Sequence, residues 1–71
     1  MKDTIHELDV VALLRDRLDR GLVAGQVGTV VQSLADDHFE VEFSADDGRA
    51  YAMAAIPARE LIVLHYAPVT A

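Results

Sequence analysis

The chain has no cysteine among its 71 residues, which excludes disulfides and thiolate-bound zinc as staples for so small a domain. It has no tryptophan and only two tyrosines and two phenylalanines, too few for an aromatic-lined groove that docks a polyproline helix. Lysine and arginine total six against twelve acidic residues, a formal charge of −6. Such a surface repels phosphate backbones, whose binding rests on Lys and Arg contacts, and it steers toward a basic partner. No run approaches the ~20 apolar residues of a membrane span. The stretch Met1-Lys2-Asp3-Thr4-Ile5-His6-Glu7 is polar with no apolar segment behind it, unlike a secretory leader. The expected location is the cytoplasm, with no membrane association.

What is present is one short domain rich in small and β-branched apolar residues. The hydrophobic fraction is 52%, much of it alanine, which adds little core volume. A chain of this length buries only about 60% of the surface its unfolded form exposes. Either the core is compact, or a second copy or a partner covers part of the apolar surface.

The strongest local signal is Leu22-Val23-Ala24-Gly25-Gln26-Val27-Gly28-Thr29-Val30-Val31, a glycine-punctuated loop that feeds a β-branched strand. The spacing predicts strands over Val10–Leu14, Val27–Leu34, His38–Phe43, Arg49–Ile56 and Ile62–Leu64. Gly28 inside the second of these implies a bulge or a tight bend. Phe39, Val41 and Phe43 alternate with His38, Glu40 and Glu42, as in a strand with an aromatic inner face and an acidic outer face. Ala35-Asp36-Asp37 and Asp46-Asp47-Gly48 are the turns. Pro57 ends the fourth strand, and a single 3-10 turn follows it.

Before the first strand, Ile5 and Leu8 fit either one helical turn or an extended lead-in, as candidate anchors. Arg15 to Gly21 fits a helical continuation capped by Gly21 or a long polar loop, and the loop is preferred. Leu22 is expected to plug one end of a barrel. Five short strands, a long first loop and a 3-10 turn before the last strand predict an all-β, SH3-like barrel. Its core spans about residues 8–64, and a loose tail covers 65–71.

From Leu8 to Leu64 the chain resembles a family of small prokaryotic proteins, the domain-of-unknown-function family numbered 4926. The residues that carry the resemblance are Leu8-Asp9-Val10-Val11, Gly21-Leu22 through Val31, Val41-Glu42-Phe43, Asp47-Gly48 and Ile56-Pro57 through Leu61. The alanine-rich fourth strand departs from the family pattern. The resemblance implies an SH3-like barrel and no assigned activity. The Gly-x-x-Gly-x-Val-Val segment is more distantly similar to the KOW module and to the SH3-like domain of the nitrile hydratase β subunit, and fold likeness does not fix function.

No motif for chemistry stands out. His6, His38 and His65 are far apart in sequence, whereas metal sites show close spacing or a recognised motif. Asp46-Asp47-Gly48 lacks the remaining oxygens of a calcium loop. Gly21, Gly25 and Gly28 have no Gly-Lys-Ser/Thr after them, so they are turn glycines and not a phosphate loop. Ser33 and Ser44 are lone residues, and Tyr51, Met53 and Tyr66 make at most a small contact patch. Neither a cofactor nor a catalytic or metal-ligating residue is expected. The expected role is a non-enzymatic protein–protein interaction module or accessory subunit, with self-association as one form of it. The candidate partner-binding residues are Arg15, Arg17, Leu18 and Arg20 on the first loop, with Glu40 and Glu42 on the acidic strand face. An antitoxin- or immunity-type inhibitor of a basic, nucleic-acid-directed toxin is the alternative. RNA binding of the KOW kind is disfavoured by the charge, and a metal-binding module by the scattered histidines.

Overall fold

The computed structural model describes residues 4–45 and 47–65. Five strands form one antiparallel sheet: β1 (Val10–Leu13), β2 (Val27–Ser33), β3 (His38–Ser44), β4 (Ala50–Pro57) and β5 (Leu61–Val63). Their order across the sheet is β4-β3-β2-β1-β5. Strands β2, β3 and β4 form a meander, and β1 sits between β2 and β5. This is the connectivity of the SH3-like barrel, with the 3-10 turn Ala58–Glu60 before β5. The hydrogen-bonded ladder stays open between β4 and β5, so the sheet bends around its core without closing on itself.

Directly opposed residues of an antiparallel pair share a face. The inner face carries Val11 and Leu13 of β1, Val30 of β2, Phe39, Val41 and Phe43 of β3, Ala54 and Ile56 of β4 and Leu61 of β5. Leu22 from the first loop is fully buried among them, as its expected role of plug requires. No polar or charged side chain among the described residues is buried, so the core holds together by apolar burial.

Both later turns use backbone that their sequences favour. Asp36 and Asp37 have φ of 57° and 60°, the pair of left-handed residues that a type I′ hairpin turn needs. The β3–β4 turn closes through Gly48 N–H to Ala45 C=O at 2.8 Å, and Asp46 lies outside the described residues. Tyr66–Ala71, most of the expected tail, lie outside them too.

Several expectations change. The first loop contains a 3-10 turn, Leu18–Arg20, ended by Gly21 in the left-handed region at φ 70°, so the loop and capped-turn readings each hold in part. The β-bulge of β2 lies between Val30 and Gln32, not at Gly28. Gly28 pairs regularly with Val11 and Phe43. Of the candidate anchors before β1, Ile5 packs against the core, whereas Leu8 is 79% exposed. Leu8 takes φ 74° in a turn where Asp9 N–H donates to His6 C=O and the Asp9 carboxylate accepts His6 N–H at 2.8 Å. That turn geometry is what places Leu8 outward.

Candidate functional site

The first loop is held from inside and from below. Arg17 and Leu22 exchange backbone hydrogen bonds at 2.8 and 3.0 Å, making a narrow neck for the loop between them. Asp16 Oδ1 accepts the Ala24 N–H at 2.8 Å, and Gln26 Oε1 accepts the Val23 N–H. Gln26 also donates through Nε2 to the Tyr51 hydroxyl at 3.0 Å, which ties the loop base to β4. Below the neck, Arg17 Nη1 donates to Glu60 Oε1 at 3.1 Å. That pair spans the first loop and the 3-10 turn before β5, with the Glu60 side chain only 12% exposed.

Partial burial makes the Arg17–Glu60 pair worth more than a surface ion pair, because removing one member leaves the other half-buried and unpaired. Arg17→Ala should therefore cost about 1 kcal/mol and loosen the loop. Urea denaturation checks the first effect, and amide hydrogen exchange at Leu22 checks the second. An unchanged midpoint with unchanged exchange would rule out the brace.

The six candidate partner-binding residues fall into two groups. Arg15, Arg17, Leu18 and Arg20 lie on the first loop, and Glu40 and Glu42 lie on the outer face of β3. No hydrogen bond or ion pair among the described residues joins the groups. Leu18 projects from the loop at 72% exposed, and Arg15 and Arg20 beside it are exposed. Arg17 is half-buried and committed to Glu60, with Asp19 a further 3.9 Å contact. Glu40 and Glu42 are half-buried; Glu42 is flanked across the sheet by Thr29 and Met53, and Glu40 by Gln32 and Ala55. Glu60, Asp16 and Gln26 are the residues that sequence reading misses. Glu60 lies 43 positions from its partner, and neither belongs to a spaced motif.

The histidines are distributed over the fold. His6 is in the turn before β1, His38 opens β3 with Nδ1 2.8 Å from Asp36 C=O, and His65 follows β5. Among the described residues no three His, Asp or Glu side chains form a group able to hold a metal ion. No helix among them is long and apolar enough to cross a membrane.

A groove of ≈ 640 Å³ borders Ala58 and Arg59 of the turn before β5. Ile5, Phe39, Ala58, Leu61 and Val63 line its apolar part, with Asp37 and Arg59 also on the lining. Comparison with curated proteins, and with solved structures, returned no match. The family model for the domain of unknown function DUF4926 matches residues 7–63, from the turn before β1 to the last residue of β5, and the chain belongs to that family.

Proposed function

We propose that this barrel is a protein–protein interaction module that binds through its first loop and an adjoining barrel face. The observation that carries this reading is Leu18, a large apolar side chain 72% exposed at the tip of a loop that is otherwise well fastened. Holding an apolar residue out of the core gains nothing for folding. Fixing it on a braced loop reduces the ordering cost when a partner covers it. Arg15 and Arg20 share the loop with Asp16 and the exposed Asp19, so the anchor has a rim of mixed charge within an acidic molecule. The outer sheet face adds Val27 and Ile62, about half exposed, on either side of Ala12 in one cross-strand row.

Leu18→Asp should lower the fraction of heteromeric complex about tenfold, with thermal stability unchanged because Leu18 supports nothing in the core. Native mass spectrometry of the protein purified gently from its source, wild type beside the variant, reads both. A wild-type chain that stays a bare monomer, or a complex indifferent to Leu18→Asp, would overturn the reading.

A further inference from the structure

Antiparallel pairing leaves every second residue of an edge strand with its N–H and C=O turned away from the neighbour. In β5 the bonded pairs with β1 are fixed by Leu64 N–H to Val10 C=O at 2.9 Å and Leu14 N–H to Glu60 C=O at 2.8 Å. The alternation between them places Ile62 in the third bonded pair and turns Leu61 and Val63 outward. Their neighbours on β1 show the same phase, since Leu13 N–H donates to Gln26 C=O on the β2 side. The Leu61 N–H is satisfied by Ala58 C=O. The Leu61 C=O, the Val63 N–H and the Val63 C=O thus face away from β1 at the edge of the sheet, and among the described residues no turn or loop bond reaches them. These groups lie in a strand that lines the groove described above, whose walls include the Phe39 ring, Ile5 and Ala58.

An apolar groove alone says little about its occupant, but a row of backbone groups without a partner among the described residues, on a strand that lines the groove, specifies an extended backbone. We infer that the β5 edge is a strand-addition site, at which an extended segment of a basic partner protein pairs with Leu61 and Val63 and sets alternate apolar side chains into the groove. Charge selects the partner. A second copy would bring −6 against −6, whereas a lysine- or arginine-bearing strand is drawn toward the acidic molecule. Within the edge itself, Leu61, Ile62, Val63 and Leu64 include none of the charges or prolines with which exposed edges are blunted, and the three-residue length of β5 limits the pairing to one short segment. The site shares Ile62 of β5 with the outer face described above but does not include the Leu18 loop, so Leu18→Asp should leave peptide pairing at β5 unchanged.

The test uses the whole chain and a peptide alternating valine and threonine between two lysines. Amide NMR titration should shift Leu61, Val63, Phe39 and Ala58, and binding should slow exchange of the Val63 amide about tenfold. Val63→Pro removes the outward N–H, a position proline tolerates on an edge, together with the valine side chain on the groove wall, and should weaken binding about tenfold; Val63→Ala, which trims the side chain and keeps the N–H, should weaken it less. Should Val63→Pro not fold, the same peptide N-methylated on the face that meets Val63 replaces it, and should bind at least tenfold more weakly to the wild type. Shifts confined to the Leu18 loop, no shifts at millimolar peptide, equal binding by the N-methylated peptide, or a dimer by sedimentation in the absence of peptide would each overturn the inference.

Discussion

Gly28→Val lowers stability by about 3 kcal/mol, a large share of the total of about 4 to 10 kcal/mol for a domain of this size, and shifts the urea midpoint accordingly. The cause is close approach and not backbone conformation, since Gly28 is outside the left-handed region. A Cβ on Gly28 would stand 2.7 Å from Val41 Cγ1, 2.8 Å from the Glu42 carbonyl oxygen and 2.9 Å from Phe43 Cδ1. A side chain can turn away, but the Glu42 carbonyl belongs to the β2–β3 ladder and cannot shift without breaking it. Alanine already carries the offending atom, so Gly28→Ala is costly as well, and valine adds two methyl groups in the same crowded space. A midpoint unchanged by alanine would show that the two strands separate more easily than their register implies.

Phe43→Ala costs about 3 to 5 kcal/mol and leaves the domain at the margin of folding. Phe43 is fully buried, the largest such side chain in the core. It lies directly across from Gly28 in the ladder, and its ring centroid is 6.4 Å from that of Tyr51. Truncation opens a cavity at the point where β2, β3 and β4 meet, and the short strands offer few side chains to collapse into it. Thermal unfolding followed by far-ultraviolet circular dichroism reads the effect, and a loss below about 1 kcal/mol would mean that the core repacks. The two sites are coupled. Removing the ring vacates one of the three contacts that reject a Cβ at Gly28, so Gly28→Ala should cost less in the Phe43→Ala background than alone.

Legibility in the sequence followed how local each determinant is. The Phe39–Val41–Phe43 alternation, the Asp36-Asp37 turn and the 3-10 turn after Pro57 each depend on residues a few positions apart, and each was expected where it stands. Strand ends moved by a residue or so: β1 ends at Leu13 and β2 at Ser33, while β4 and β5 run Ala50–Pro57 and Leu61–Val63. Capping and turn bonds set these limits, and apolar patterning does not record them. Gly28 stood out as a special residue, but a bulge and a close approach leave the same letter in the sequence. Only the register, which opposes Gly28 to Phe43, separates them. The Arg17–Glu60 brace was hidden for a different reason. The loop arginines looked alike as candidates for binding, and tertiary placement alone assigns one of them to Glu60 and leaves Arg15 and Arg20 exposed. The edge of β5 depends on hydrogen-bond phase, which single residues do not encode.

The strand order also sets a sequence of events in time. β2, β3 and β4 are joined by short turns and pair with their chain neighbours, so their contacts form at small cost in loop closure. β1 and β5 meet only by drawing together segments that lie far apart in the chain, and pairings of that kind form late and slow the search. The meander is therefore the expected nucleus, and substitutions at Gly28 or Phe43 should slow refolding. Substitutions at Arg17 or Glu60, which fasten the late-docking strand, chiefly speed unfolding.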